Sequence, residues 1–292
     1  MDWMRYKLLY FILSGFLIIV GIYSISRFGF KLGVDFAGGS IIEYKFNQDV
    51  SADELVRSLQ ENGVEISSIQ ELGEGKYLFR FPPLTTEIKE KVNSHLVQTY
   101  KEDGFEELRF ETVGPTIGPE LIKKTIYAIL IAASAILVWV ALQFKSLKFG
   151  ASAILAMIHD SFILIGSFSL FGKIWGAEVD FLFVTALLTT LSFSVHDTIV
   201  VYDRIREFQR KVGGSLTEIA NRAVTETMVR SLNNSFTIIF MLLALILLGG
   251  TTIKWFAISL LVGTVLGTYS SPFVAVPLLV AWDDVVSKMK RG

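Results

Sequence analysis

Asp197 lies inside an apolar run, from Phe181 to Tyr202, that is long enough to cross a bilayer as a helix. An ionisable group held at membrane depth costs about 3 kcal/mol or more, so such residues usually face a bundle interior and mark ion or proton paths. The position of Asp197 therefore predicts a carboxylate that takes up and releases an ion within the membrane.

Other polar residues of the apolar runs could act with this carboxylate. Helical spacing places Thr190 and Ser194 on the face that carries Asp197, with His196 about 100° away. Arg230 opens the next apolar run, which is antiparallel to this one, so we expect Arg230 to face Asp197. Burial and a neighbouring arginine act in opposite directions on a carboxylate's affinity for protons, which would leave it poised to load and release one. The accessory candidates are His159, Asp160, His196, Ser194, Thr198 and Thr190.

Three other interpretations of these residues stay open. Asp197 and Arg230 could form a static buried ion pair that only sets the register of two helices. His159 and His196 could be hydrogen-bonded histidines without a role in chemistry. The two His-Asp pairs could also ligate a metal in an intramembrane hydrolase, although adjacent residues point to different faces and no His-Glu-x-x-His spacing occurs.

Composition identifies a membrane protein. The chain has 292 residues, of which 52% are hydrophobic, above the roughly 45–50% typical of soluble domains. Its 27 basic and 28 acidic residues nearly cancel, so the net charge gives no indication of nucleic-acid binding. The absence of cysteine excludes disulfides, thiolate catalysis and Cys-ligated metals. No cofactor is expected beyond the coupling ion, a proton or possibly sodium.

Six apolar stretches have the length of a membrane-spanning helix. Lysine and arginine gather at the ends that include both termini, whereas the opposite short loops carry only Lys173 and Lys254. The positive-inside rule then predicts that both termini are cytoplasmic, with residues 1–30 forming the N-terminus and first span and residues 283–292 a cytoplasmic tail. The predicted spans are Leu8–Ile25, Thr125–Phe144, Phe149–Phe171, Phe181–Tyr202, Leu232–Leu248 and Trp255–Val280.

The segment 31–121 is predicted to be a water-exposed domain outside the membrane. Seventeen of the acidic residues lie between Asp35 and Glu120. Alternating and helical patterns follow one another in the order βαββαβ, which is typical of a ferredoxin-like α+β fold. The predicted elements are strands at Ser40–Phe46, Ile66–Leu72, Tyr77–Phe81 and Phe105–Val113, and helices at 51–62 and Thr86–Tyr100.

The remaining bundle, 122–282, carries two further local signals. Residues 204–229 are expected to form a cytoplasmic loop in which Ser215 to Glu218 is a capping box, followed either by an amphipathic surface helix or by the first turns of span five. Span six contains small residues spaced by four and two prolines, which predict close helix packing and a kink. These are Ser259, Gly263, Gly267, Ser271, Pro272 and Pro277.

Several of these motifs, in this order, resemble the SecF family of the resistance-nodulation-division superfamily. The resemblance covers nearly the whole chain. It is carried by Gly33 to Ser40 after span one, Val113-Gly114-Pro115 before span two, His159-Asp160, the run from Asp197 to Glu207, and Arg230-Ser231-Leu232. Asp35, Gly38, Gly39, Gly114 and Pro115 are expected to form structural junctions, since paired glycines permit a turn with positive φ that Asp35 can cap.

The resemblance implies a subunit of the bacterial protein-export machinery that uses the proton motive force in the inner membrane and is not an enzyme. It implies that Asp197 and Arg230 carry proton coupling and that the outer domain contacts the translocating preprotein. The implied partners are SecD, the SecYEG channel, YajC and the lipid bilayer. His196 stands where that family commonly has Asn. Two alternatives stay open, half of an exporter of small apolar molecules and a scaffold without ion coupling.

Overall fold

The computed structural model describes residues 1–114, 117–144 and 146–289. The chain divides into two compact units: one consists of Met1–Lys31 and Tyr127–Gly292, and the other of Leu32–Ile126. The first unit is a bundle of long helices and the second is a small α+β domain.

Six helices in the described residues are long and apolar enough to cross a membrane, as the sequence predicts. Spans one to five are Lys7–Phe28, Ile117–Phe144, Leu147–Trp175, Phe181–Lys211 and Leu216–Leu248. Span six consists of Thr251–Ser270, a π-helical turn at Ser271–Ala275, and Val276–Met289.

Spans three, four and six form the interior of the bundle. Half of the most apolar window is buried in spans three and four and 67% in span six, against 17% or less in the other three. Spans one, two and five therefore leave wide apolar faces uncovered, which suits contact with lipid or with another membrane protein.

Spans four and six pack so closely that their backbones nearly touch. A Cβ atom at Gly263 would lie 1.9 Å from the Thr190 methyl carbon, and one at Gly267 would lie 3.2 Å from the Ser194 Cα. Ser259 and Ser271 of the same ladder are fully buried. The small-residue ladder thus acts as the packing surface that its spacing predicts.

The helix of span six is interrupted where proline was expected to disturb it. Pro272 lies in the π-helical turn Ser271–Ala275. Proline lacks an amide N–H and its ring crowds the preceding turn, so a wider turn accommodates it without breaking the span. Pro277 lies near the start of the following helix, Val276–Met289.

The connection between spans four and five is much shorter than expected. Span four continues as a helix to Lys211 and span five begins at Leu216 behind a Ser215–Glu218 capping box. The prediction of a loop over 204–229 and that of a separate surface helix are therefore wrong, and the first turns of span five provide the apolar stripe. Helix pairs such as Lys211–Glu207 stabilise this charged hairpin, and Phe208 and Ala220 are buried in the same apolar cluster.

The domain Leu32–Ile126 confirms the predicted βαββαβ order. Its strands are β1 (Gly39–Phe46), β2 (Ser68–Gly73), β3 (Lys76–Phe81) and β4 (Phe105–Val113), and its sheet is antiparallel with the order β2-β3-β1-β4. Helices Ala52–Glu61 and Thr86–Tyr100 pack on one sheet face. The core between them contains Ile42, Tyr44, Phe79, Leu55 and Leu96.

Glycines stand where the chain enters and leaves β1 and β4. Gly38 and Gly39 both have positive φ, and a Cβ at Gly39 would lie 2.8 Å from the Phe81 carbonyl oxygen. Gly39 pairs with Val113, next to Gly114, whose carbonyl accepts from the Ile117 amide. Pro115 lies outside the described residues.

Asp35 lies inside a short helical turn, Val34–Ala37, directly before the glycines with positive φ. Its role as a cap stays a prediction. The amides of Phe36 and Ala37 donate to the Gly33 carbonyl, so backbone groups close this turn at its start.

The contact between Gly263 and Thr190 gives a stability prediction. Gly263→Ala should destabilise the protein by about 1–3 kcal/mol because the added methyl overpacks the interface. When it is combined with Gly263→Ala, Thr190→Ser removes the carbon nearest to the added methyl and should recover part of the lost stability. Gly15→Ala, which meets nothing within 4 Å, is the matched control. Thermal unfolding in detergent measures all four proteins, and an unchanged midpoint for Gly263→Ala would show that the interface is looser than described.

Tyr44 predicts how the domain responds to alkaline pH. Its ring is fully buried, its hydroxyl donates to Asn93 Oδ1 at 2.5 Å, and burial, with a smaller contribution from Glu107, raises the pKa of Tyr44. A raised folded-state pKa stabilises the fold below the unfolded value of about 10 and the stabilisation is lost as pH rises above it. Tyr44→Phe should therefore lower the free energy of unfolding by about 1 kcal/mol at pH 7, because a hydrogen bond is lost. The same change should make the free energy of unfolding fall less steeply at alkaline pH.

Pulse proteolysis of the full chain in urea at neutral and alkaline pH measures this effect. Tyr77 and Tyr100 also have a pKa raised by burial. The pH dependence of stability in Tyr44→Phe should therefore be smaller than in the parent protein but still present. The exposed Tyr6→Phe is the control. If the stability of Tyr44→Phe fell as steeply at alkaline pH as that of the parent protein, Tyr44 would not be the source of the pH dependence.

Candidate functional site

Asp160 of span three is the centre of a buried polar cluster. Its Oδ2 accepts hydrogen bonds from Ser194 Oγ at 2.6 Å and from Ser270 Oγ at 2.5 Å. These serines belong to spans four and six and are fully buried. One carboxylate oxygen thus joins three membrane spans.

His159 completes the coordination of this carboxylate. Its Nδ1 lies 2.8 Å from Asp160 Oδ1, although the two residues are adjacent in sequence. Its Nε2 is buried and has no hydrogen-bond partner among the described residues. Buried polar atoms are nearly always hydrogen-bonded, so this nitrogen is an exception that a function would explain.

Thr198 extends the cluster to the π-helical turn of span six. Its Oγ1 lies 3.0 Å from Ser271 Oγ and donates to the Ser194 carbonyl at 2.9 Å. Ser271 is the first residue of that turn. The hydroxyls of spans four and six therefore follow one another along the contact between these helices.

Asp197 lies apart from this cluster, at the edge of the buried face of span four. It is half-buried and accepts a hydrogen bond from Ser231 Oγ of span five at 2.7 Å. Its carboxylate borders a small groove that also involves His196, Asn234, Ser235 and Thr268. The groove holds about 20 Å³ of free space, which is enough for one water molecule.

The predicted contact between Arg230 and Asp197 is wrong for this conformation. Arg230 is exposed and forms no ion pair with any carboxylate in the described part of the chain. Ser231, the next residue, takes the place beside Asp197, and successive side chains on a helix diverge by about 100°. A static Asp197–Arg230 ion pair is therefore absent from the described structure. Proton coupling by these two residues stays a prediction.

The other candidates fall into two groups. Ser194, Thr198, His159 and Asp160 come together in the buried cluster. Thr190 is buried but donates to its own helix at Leu187 and packs against span six, and His196 is exposed at the groove. Sequence reasoning missed Ser270, which its position one residue before Ser271 of the small-residue ladder could have indicated.

No metal site is evident in the residues that the structure describes. Within them, no three His, Cys, Asp or Glu side chains are grouped so that they could hold an ion. The polar groups that the cluster brings together are a carboxylate, an imidazole and several hydroxyls, all of which can take part in proton transfer.

Six apolar spans and an inserted α+β domain define a polytopic membrane protein. Residues 92–285 match the family described as "Protein export membrane protein SecD/SecF, C-terminal", and residues 23–50 match the "SecD/SecF GG Motif". The chain belongs to the SecD/SecF family of protein export membrane proteins.

Relatives and solved structures agree with this assignment. The chain is 40% identical to the protein translocase subunit SecF of Thermobaculum terrenum, over 97% of this chain and 94% of the relative. It is 37% identical to that of Anaerolinea thermophila, over 95% and 92%. The crystal structure of SecDF from Thermus thermophilus is similar with a TM-score of 0.85 and 33% identity, over 97% of this chain and 39% of that chain. A SecDF crystal structure in a super-membrane-facing form has a TM-score of 0.72 and 31% identity, over 100% and 40%. The chain thus spans about two fifths of the SecDF chains.

Proposed function

We propose that this chain works in protein export across the bacterial cytoplasmic membrane, as one half of a SecDF-type pair driven by the proton motive force. Its similarity to SecF proteins over nearly its full length supports the export role. The ion coupling rests on one observation above all: Asp197 is a half-buried carboxylate beside a groove with room for water and without a neutralising ion pair in the described residues.

The energy that each ion supplies suits a motion of modest size. One charge moved through 100 mV releases about 2.3 kcal/mol. A potential of a few hundred millivolts at most then gives several kcal/mol per ion, enough to bias a domain movement but not to drive a large unfolding step. The proposed cycle repeats many times for each exported chain.

Span five carries a polar stripe that calls for a second half. Arg230, Asn233, Asn234 and Thr237 recur at helical spacing and are all exposed in this chain. Hydrocarbon offers no hydrogen-bond partners to such groups. We infer that the six helices of a SecD subunit cover this stripe and place Arg230 in a polar interface. The SecDF chains, which are longer than this one, support such a second half.

The proposed setting follows from charge and family. Both termini lie in the cytoplasm and the domain Leu32–Ile126 lies on the opposite side, where it contacts the preprotein that emerges from SecYEG. YajC completes the assembly. The chain makes and breaks no covalent bond, and its coupling ion is its only cofactor.

The alternatives have less support. An exporter of small apolar molecules usually carries two large outer domains, whereas this chain has a single small one. A scaffold without coupling would leave the carboxylates without a task, and the static ion pair that favoured it is absent from the described conformation.

Asp197→Asn tests the proposed coupling. The change keeps size and hydrogen bonding but removes the ionisable group, so we expect loss of the part of export that depends on the proton gradient. Export of a model preprotein into inverted vesicles measures it, with the complex assayed by co-purification. Asp203→Asn, an exposed aspartate of the same helix, is the matched control. Gradient-dependent export that persists in Asp197→Asn with an intact complex would refute the motor role of this residue.

The coupling ion is tested by imposing one gradient at a time. We expect stimulation by a pure proton gradient and none by a pure sodium gradient, because Asp197 has one hydrogen-bond donor, Ser231, among the described residues, and a proton needs fewer ligands than a metal ion. The vesicles are otherwise identical, and an uncoupler is the control. Stimulation by sodium alone would replace the proton with sodium as the coupling ion.

A further inference from the structure

A second carboxylate, Asp160, takes no part in the function proposed above. It lies deeper than Asp197, since it is 6% exposed, and it receives hydroxyl donors from two neighbouring spans. A buried polar residue bound in this way needs a physical explanation for its presence in the membrane interior.

The charge of this carboxylate has a single counterpart. Within the described residues, only His159 lies at salt-bridge distance from Asp160. Spans one, four and six pack against span three. The titratable side chains that they place in or beside this interior are Tyr10, Asp197, His196, Tyr202 and Tyr269. His196 is exposed and lines the groove beside Asp197.

An unpaired carboxylate is expensive to bury, so the pair of His159 and Asp160 is expected to hold one proton between them. The geometry provides the place for it. The proton lies between Asp160 Oδ1 and His159 Nδ1, which are 2.8 Å apart, so that Asp160 is a neutral acid when the pair is loaded; the buried Nε2 of His159 has no partner among the described residues.

We propose that His159 and Asp160 form a second proton-binding site on span three. Its occupancy controls how strongly span three binds span six through the hydrogen bond from Ser270 to Asp160. This inference rests on the proposed ion coupling and assigns it a further residue pair. The loaded pair is electrically neutral. When the proton leaves, one negative charge remains on the pair and the two serine hydroxyls donate to a full carboxylate.

Hydrogen bonds to an ionised acceptor are about twice as strong as those between neutral groups. Release of the proton therefore tightens the contact of Ser270 with Asp160, and loading relaxes it. Ser270 directly precedes the π-helical turn Ser271–Ala275, where the backbone ladder of span six changes. Such turns occur frequently at functional sites.

Infrared difference spectroscopy after a pH jump tests the site directly. The sample is the full chain purified with its SecD partner and reconstituted in lipid. We expect a carboxyl signal that Asp160→Asn removes and Asp197→Asn keeps. His159→Gln retains a hydrogen-bonding group but cannot bind the proton, so it should move the pH at which the Asp160 signal changes. A signal unaffected by Asp160→Asn would overturn the proposal.

Export in vesicles tests the link to span six. Asp160→Asn should abolish the gradient-dependent part of export, and Ser270→Ala should reduce it while the Asp160 infrared signal remains. Ser259→Ala is the matched control, because this buried serine of the same span donates only to its own helix at Trp255.

The results separate the two proposals. Full gradient dependence in Asp160→Asn together with its loss in Asp197→Asn would overturn the second site and leave the proposed function standing. Full gradient dependence in both variants would refute coupling through either carboxylate, and export by the parent protein without any gradient dependence would refute the proposed function itself. Equal effects of Ser270→Ala and Ser259→Ala would reject the link through Ser270.

Discussion

The close packing of spans four and six is the constraint on which the interior depends. Gly263 and Gly267 bring the two backbones together at Thr190 and Ser194. Only at that separation can hydroxyls as short as those of serine reach one carboxylate from two helices. Larger residues in the ladder would separate the helices and leave Asp160 without donors. The polar cluster is thus a product of small side chains as much as of polar ones.

Two carboxylates of the same bundle have different surroundings. Asp160 is enclosed by groups that donate hydrogen bonds and by one histidine, whereas Asp197 has one serine donor and access to a groove. A protein that must exchange an ion with water needs an accessible group, and one that must convert the ion into a movement needs a group that holds helices together. In the proposed coupling, Asp197 has the first role and Asp160 the second, on adjacent spans.

Much of the fold could be predicted because its signals are local. The length of the apolar runs predicted the six spans. Alternation and capping residues predicted the βαββαβ domain, and most of the predicted strand and helix ends lie within two residues of the observed ones. The failures concern information that a local pattern does not contain. The apolar run ends at Tyr202 and a loop was predicted over 204–229, but the charged residues there pair along a helix, as Lys211 does with Glu207.

The candidate site was predicted less well than the fold. The residues were identified, but their partners depend on the rotation of each helix about its axis. A difference of one residue, about 100°, places Ser231 and not Arg230 beside Asp197. The meeting of Asp160 with Ser270 requires three spans in register, and spacing within one span cannot supply that.

The short connection between spans four and five has a mechanical consequence. Span four has 31 residues and span five 33, or about 45–50 Å each at 1.5 Å per residue, against a hydrocarbon core of about 30 Å. The capped hairpin is therefore a stiff lever that extends beyond the membrane. Its tip lies about 21 Å along the helix from Asp197, so a tilt of about 10° at the carboxylate would displace the tip by about 4 Å. A change of charge at Asp197 that tilts the helix would thus move the tip of the hairpin by about the diameter of an atom.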